Sequence, residues 1–453
     1  MSRLSEKIHT SSTCDKDSPS TTFWLPFTPN RYFNQHPRVI TRAQDMHYYT
    51  DDGRMILDAA AGLWCCNAGH NRKPIVDALQ KSAATLDYVP TFQFSHPSVF
   101  ALASKLAALA PKSLDHVFFT NSGSEAVDTA LKIALAYWNR MGKGAKTRLI
   151  GRHGAYHGVG FGGISVGGIA SNRKHFGPLL PGVDHLPSTY HREHQAFSRG
   201  EPAWGGHLAD TLSDLIALHD ASTIAAVIVE PMAGSAGVFP PPQGYLQKLR
   251  ALCDAHDILL IFDEVITGFG RLGWSFAAER YGVVPDMLVF AKGVTSGAAP
   301  LGGVLVKDSL YDGFMQGPDY MIELYHGYTY SGHPLGCAAA LAALDLYEAE
   351  GLFERARTLE PLWGDVIQSL CDAPNVVDVR TIGLVAGIDL SPMPGLPGKR
   401  GFRALEAAFR HHDLMFRVTG DTIALTPPLI ISEEQINQVA QKLRSVLKDV
   451  ALD

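Results

Sequence analysis

Cysteine is scarce in this sequence. Only Cys14, Cys65, Cys66, Cys253, Cys337 and Cys371 occur in 453 residues, and no two stand in C-x-x-C spacing. That excludes a disulfide-stapled fold and the usual zinc or redox spacing, and it fits a reducing, cytoplasmic setting. Long apolar runs are missing too. No stretch reaches the roughly 18 uncharged apolar residues that a bilayer helix needs, and the start has no basic segment leading into an apolar one. A soluble, unexported chain is the expectation. Charge of one sign is not in excess: 39 Lys and Arg face 45 Asp and Glu, a net of −6. That leaves no electrostatic footprint for nucleic acid or a membrane surface. Internal repeats and long low-complexity tracts are absent as well. Small molecules and other protein chains are the expected partners.

What is present describes a well-packed globular chain. Hydrophobic residues make up 46% and charged residues 19%, below the usual charged share of about 25%. At roughly 150 residues per domain the length suggests about three domain lengths, or two larger units. The first 20 residues are Ser/Thr-rich and mix Lys7 and Lys16 with Asp15 and Asp17; they read as a loose tail, the acids arguing against a transit peptide.

From about residue 55, short β-branched or aromatic runs alternate with stretches of helical period, the pattern of an α/β chain with a parallel sheet. The clearest strands are 116–120 (HVFFT), 226–230 (AVIVE), 258–263 (ILLIFD) and 287–291 (MLVFA), nearly continuous in apolar residues as strands covered on both faces should be. Helical patterns lie at 98–110, 125–137 and 334–349. The last leads into a C-terminal unit, with a boundary near residue 336. The cluster 391–401 (SPMPGLPGKRG) reads as a surface loop.

In open α/β sheets ligands sit outside the carboxyl ends of the strands, so the polar residues that follow the apolar runs carry the functional signal. After HVFFT comes Asn121-Ser-Gly-Ser-Glu125 and a helix. Backbone N–H groups and the dipole there suit a phosphate, and an ordinary capping box between Ser122 and Glu125 explains the same residues. ILLIFD ends in Asp263, a carboxylate that is costly to bury without a cationic partner. Lys292 follows MLVFA, far enough on for one helical crossover between parallel neighbours. A buried ion pair and a shared functional crevice both fit. Two G-x-G-x-x-G matches, Gly158/Gly160/Gly163 and Gly268/Gly270/Gly273, fail as dinucleotide sites because neither directly follows a strand with an acid at the right distance; they read as close-approach or turn glycines. His153 and His157 stand four apart, but Gly154 argues against a helix there and no glutamate lies between them in H-E-x-x-H form, so no metal is assigned.

Taken together, Asn121–Ala126 (NSGSEA), Tyr156-His-Gly158, Glu230-Pro231, Asp263-Glu-Val265 with Gly268-Phe-Gly-Arg271, Lys292-Gly293 and Thr329–Pro334 (TYSGHP) resemble the class III pyridoxal-phosphate aminotransferases. Within them the sequence is most similar to the omega-amino-acid (β-alanine):pyruvate group. The resemblance runs from about Phe23 to the C-terminus. It implies fold type I, the aspartate-aminotransferase fold: a large domain (61–335) with a mostly parallel seven-stranded sheet, and a smaller α/β domain (336–453) joined by part of an N-terminal segment (1–60). It also implies pyridoxal 5'-phosphate as cofactor, and a homodimer or homotetramer with active sites at the subunit interface.

Physical need and resemblance agree on the central roles. A strand-end lysine whose charged form is disfavoured by desolvation serves as an amine nucleophile toward an aldehyde, and the freed amine then shuttles a proton; Lys292 suits both steps. Asp263 suits the ring nitrogen. Holding that proton two pKa units more firmly takes about 2.7 kcal/mol, which a poorly solvated carboxylate supplies. Ser122, Gly123 and Ser124 are expected at the cofactor phosphate, and the resemblance adds the partner subunit's Thr329. Tyr156 and Val265 are expected to clamp the ring faces, with His157 supporting the geometry. For substrate, the resemblance points to Arg417 as carboxylate binder, to Trp64, Phe27, Phe92 and Tyr156 as pocket walls, and to Glu230 beside the cofactor and pairing with Arg417 when no carboxylate is bound. The activity implied is transfer of an amino group from an omega-amino acid or primary amine to pyruvate, giving alanine and an aldehyde, ketone or semialdehyde by a ping-pong cycle. Rival readings are an aminomutase, racemase or decarboxylase of the same fold, a nicotinamide-dependent oxidoreductase, a catalytically dead interaction protein, and a metal-dependent enzyme.

Overall fold

The computed structural model describes residues 22–451; the tail expected over the first 20 residues lies outside them. The chain opens with three antiparallel strands, β1 (Ile40–Gln44), β2 (His47–Thr50) and β3 (Met55–Asp58). Seven strands then build the central sheet: β4 (His116–Thr120), β5 (Arg148–Arg152), β6 (Val183–Leu186), β7 (Ile224–Val229), β8 (Leu259–Asp263), β9 (Met287–Phe290) and β10 (Gly302–Val306). Their order is β4-β10-β9-β8-β7-β5-β6. Only β10 runs against the rest, pairing antiparallel with both β9 and β4. The expected mostly parallel seven-stranded sheet is therefore present, its one reversed strand unread in the sequence.

The runs 226–230, 258–263 and 287–291 form interior strands because both faces are covered, whereas 116–120, expected among them, is β4 at the edge of the sheet with its first three residues half-buried. Along β8 and β9 alternate side chains feed two cores: Leu260, Phe262, Leu288 and Phe290 join one, and Leu259, Ile261, Met287 and Val289 the other. The second core is closed by helix α1 (Gly123–Arg140), which presents Ala126, Val127, Ala130, Leu131 and Ala134 at helical spacing. Asp263 has the same parity as Leu259 and Ile261, so its side chain leaves the sheet toward α1.

Helix α2 (Pro334–Ala349) matches its expected bounds and runs unbroken through residue 336. Beyond it, β11 (Val376–Ile382), β12 (Val385–Leu390), β14 (Arg417–Thr419) and β15 (Thr422–Leu425) form a sheet in the order β11-β12-β15-β14, while the short β13 (Leu414–Met415) pairs parallel with β3. The two ends of the chain thus share a sheet. The Pro/Gly cluster is a loop only as far as Gly398, which caps the helix Lys399–His411. Strand ends elsewhere shift by a residue or two, and α1 starts at Gly123 because Ser122 is its N-cap.

Arg271 ties the central sheet to the C-terminal strands. It is fully buried and donates to the carbonyls of Pro427 (2.6 Å) and Leu384 (3.3 Å) and to Asn67 Oδ1 (2.9 Å). No carboxylate meets it, and burial pushes its pKa down to about 10. Arg271→Ala leaves three buried acceptors unpaired and opens a cavity, so we expect a loss of about 3 kcal/mol or more, read by chemical denaturation of the holoenzyme. A change within about 0.5 kcal/mol would show that the tie contributes nothing.

Candidate active site

Five strand ends converge on one edge of the sheet. At the end of β8, Asp263 is buried and its carboxylate accepts two hydrogen bonds: from His157 Nδ1 (2.8 Å) and from the Val265 amide (3.1 Å). His157 follows β5 and is itself buried. Because Asp263 only accepts, the ring proton sits on Nδ1, and Nε2 is left without a partner. The ring thus orients the carboxylate.

The end of the neighbouring strand β9 leads through Ala291 to Lys292, which starts a short 3-10 turn with φ of +49°. A side chain in the left-handed region is uncommon outside glycine and persists only where the surroundings impose it. Here they do. Tyr347 of α2 donates to the Gly293 carbonyl (2.6 Å), Ser296 Oγ accepts from the Ala68 amide (2.9 Å), and Thr295 Oγ1 donates to the Ala299 carbonyl (2.7 Å). The Lys292 side chain has no hydrogen bond or ion pair among the described residues. Burial lowers its pKa, opposed by the charges of Asp263, Cys65 and Glu230, and the Arg417 guanidinium lowers it further.

At the end of β4, Ser122 Oγ accepts from the Glu125 amide (3.2 Å), and Glu125 reaches back to the Asn121 amide (2.7 Å) rather than to Ser122. The capping reading is therefore half right. It leaves the Gly123 and Ser124 amides in the first turn of α1 without partners among the described residues. A Cβ on Gly123 would lie 2.9 Å from Val265 Cγ2 and 3.6 Å from Ala291 Cβ, so this helix start is pressed against the residues beside Asp263 and Lys292. Unpartnered amides at a helix N-terminus suit a phosphate, and the strand-end pair of Lys292 and Asp263 suits an aldehyde and a ring nitrogen. Pyridoxal phosphate carries all three groups, and the residues present fit it.

The loop after β5 is strapped onto α1. Ser124 Oγ accepts from the Val159 amide (3.1 Å) and Asp128 Oδ1 from the Gly163 amide (2.8 Å), while a Cβ on Gly158 would lie 2.5 Å from Ser124 Oγ. The first glycine motif is thus a close approach, as expected. Gly270 and Gly273 of the second have positive φ, and a Cβ on them would clash with Phe353 and Arg357. Asp128 was not singled out from the sequence. Its place one helical turn after Ser124 was the available signal.

Glu230 corrects one expectation. Its buried carboxylate accepts from the amides of Tyr156 and Gly234 (3.0 Å each), and it makes no pair with Arg417. Both oxygens are already committed to backbone, which holds Tyr156 in place. Burial, then the neighbouring Asp263 charge, raises its pKa, with His157 and Arg152 opposing. Tyr156 is half-buried, and burial keeps its hydroxyl protonated. Trp64 is buried and borders Gly234, where an added Cβ would lie 3.1 Å from its ring. Arg417 on β14 is half-buried and has no carboxylate partner among the described residues; desolvation lowers its pKa.

Three expected residues are not drawn in by the single chain. Phe27 is 72% exposed and Phe92 56%, the latter beside Gly327. Thr329 is exposed, its carbonyl accepting from the Tyr88 hydroxyl (3.0 Å). Its neighbour Tyr328 does reach α1, donating to the Glu125 carbonyl (3.3 Å).

A lysine and a carboxylate on adjacent strand ends, beside an open helix start, define a pyridoxal-phosphate enzyme. The family model for class-III aminotransferases matches residues 28–447, and the chain belongs to that family. It is 58% identical to an omega-aminotransferase of Caulobacter vibrioides over 94% of this chain and 97% of the relative. It is 48% identical to the β-alanine–pyruvate aminotransferase of Pseudomonas aeruginosa, over 94% and 96%. Among solved structures, a thermostable (S)-enantioselective omega-transaminase from Thermomicrobium roseum superposes with a TM-score of 0.88 at 35% identity, covering 95% of this chain and 96% of that one. The protein is a transaminase of fold type I that uses pyridoxal 5'-phosphate. No described helix is long and apolar enough to cross a membrane.

Gly123→Ala forces a methyl group into Val265, an overpacking of about 1–3 kcal/mol. We expect about tenfold weaker retention of pyridoxal phosphate in equilibrium dialysis, whereas unchanged retention would remove the helix start from the cradle. Reloading of the apoprotein has a defined pH dependence. The neutral amine is the reactive form, and Lys292 titrates below its ordinary 10.5. The loading rate should therefore rise with pH and level off before that value; a rise continuing past 10.5 would contradict the desolvated lysine.

Proposed function

We propose that this aminotransferase takes its amino group from an omega-amino acid such as β-alanine, or from a primary amine, and passes it to pyruvate, giving alanine and an aldehyde, ketone or semialdehyde. The observation that carries this reading is the unpaired guanidinium of Arg417, close enough for its charge to act on Lys292. An enzyme that alternates between a carboxylate acceptor and donors whose carboxylate is distant or missing needs one cation that can engage and disengage. The names of the two relatives above support the same chemistry.

When bound, pyridoxal phosphate supplies the electron sink for the carbanion left by deprotonation of the donor carbon. Lys292 Nζ would hold the cofactor aldehyde and, once freed by the donor amine, would serve as the base and acid that carries the donor-carbon proton. Asp263 holds a proton on the ring nitrogen, oriented by His157. Ser122, Gly123 and Ser124 bind the phosphate, Tyr156 and Val265 bracket the ring, and Glu230 fixes the Tyr156 backbone. Arg417 binds the substrate carboxylate, with Trp64, Phe27, Phe92 and Tyr156 as walls.

The same reading makes the functional unit a homodimer or homotetramer, in which the partner subunit's Thr329 reaches the phosphate. Tyr88, Phe92, Phe94, Phe100, Tyr325 and Tyr330 are large hydrophobic side chains left exposed, with Tyr88 edge-on against Tyr330, and a covering copy would bury such residues. Residues 61–335 then carry the cofactor and 336–453 form the smaller domain with strands from 1–60, a division supported by the β3–β13 pairing. The setting proposed is cytoplasmic.

A donor panel run as half-reactions, watching the cofactor spectrum and then adding pyruvate, tests the reading. β-Alanine or primary amines should convert the cofactor, and pyruvate should yield stoichiometric alanine; turnover without alanine would point to another fold type I reaction. Arg417→Ala should raise KM for pyruvate about 10–100-fold and affect an uncharged amine donor far less. Equal losses would assign Arg417 a structural part.

A further inference from the structure

The aminotransferase reaction leaves one reactive group at the site unused. Cys65 and Cys66 are adjacent, both free, with their sulfurs 3.8 Å apart. Cys65 is half-buried and Cys66 buried, at the end of the turn that carries Trp64. Both sulfurs press on the turn that starts at Lys292: a Cβ on Gly297 would lie 2.9 Å from Cys66 Sγ and 3.1 Å from Cys65 Sγ, and the Gly297 amide reaches back to the Lys292 carbonyl (3.4 Å).

We propose that Cys65 and Cys66 are an oxidation site at which a peroxide closes a vicinal disulfide and reversibly shuts down the adjacent aminotransferase centre. Either thiol can donate to the other sulfur, Cys65 is the more accessible of the two, and the contact with Cys66 favours the Cys65 thiolate against its burial. The same contact and burial keep the proton on Cys66. The attacking and resolving sulfurs are thereby distinguished.

The step balances. Cys65 sulfur attacks one peroxide oxygen, the O–O bond breaks, and the leaving hydroxide takes a proton to become water. Cys66 sulfur then attacks the Cys65 sulfenic sulfur; the S–S bond forms, the S–O bond breaks, and the Cys66 proton leaves with the second water. Two thiols and hydrogen peroxide give one disulfide and two waters, a two-electron oxidation.

Geometry makes the bond labile. Adjacent Cα atoms are about 3.8 Å apart, below the roughly 4.4–6.8 Å spanned by ordinary disulfides, so the closed ring is strained and a dithiol reductant opens it readily. Closing it draws the sulfurs together by nearly half their separation, which moves the packing under Gly297 and with it the turn that starts at Lys292.

The test treats the holoenzyme with hydrogen peroxide and follows both turnover, with the donor that the panel identifies, and the mass of the peptide containing residues 65 and 66. We expect activity to fall at least about tenfold as that peptide loses two hydrogens, and both changes to reverse with dithiothreitol. Cys66→Ser should keep its activity when reduced and form no such bond. Activity lost while both thiols stay free, or a disulfide formed with activity unchanged, would overturn the proposal. The mass readout on wild-type protein decides even if the variant misfolds, and it needs no substrate, so its failure is distinct from failure of the proposed donor class.

Discussion

Asp263 ends a strand whose other residues are all buried and apolar, and a carboxylate there is expensive unless donors meet it. Among the described residues two do, the His157 ring and the Val265 amide. A carboxylate oxygen has room for more than one bond, so this one remains able to accept from a bound cation or N–H group. The sheet fixes that acceptor in depth and direction, since β8 is hydrogen-bonded along its length to β7 and β9. Everything else at the site is arranged around it. His157 orients it, Val265 lies between it and the start of α1, and Lys292 leaves the next strand beside it.

The neighbouring lysine is governed by the same economy of charge. Its ammonium form loses solvation at the strand end, and the negative groups that would restore it are already engaged: Asp263 by His157, and Glu230 by two amides. A lysine so placed is a poor ion-pair partner and a good amine. Its unusual backbone conformation is imposed by bonds that tie Gly293, Thr295 and Ser296 to Tyr347, Ala299 and Ala68, the first and last of these partners being distant in sequence. Packing on α2 and on the loop after Trp64 therefore reaches the reactive amine through the turn that carries it.

Much of this could be read from residue order alone. Strands 258–263 and 287–291 declare themselves because both faces are covered, so their apolar runs are nearly unbroken, and the charged residue at or just after the end of each is the functional one. β10 was not read, because GGVLV looks like any short apolar run and nothing local encodes its reversed direction. The small strands β1 and β2 are mostly exposed or half-buried and carry weak alternation, and the pairing of β3 with β13 is set by the fold of a distant segment. Glu230 was paired with Arg417 on the strength of the resemblance; the donors that hold it are backbone amides, which leave no mark in a sequence. Phe27, Phe92 and Thr329 stand exposed on the single chain, since their surroundings in the proposed assembly belong to another copy.

The most direct test is the protonation state of the cofactor ring. With ring-15N-labelled pyridoxal phosphate bound, the nitrogen resonance of the wild-type enzyme should sit at the protonated position across neutral pH, and in Asp263→Asn it should move to the neutral position. Equal shifts in the two proteins would show that this carboxylate does not hold the proton.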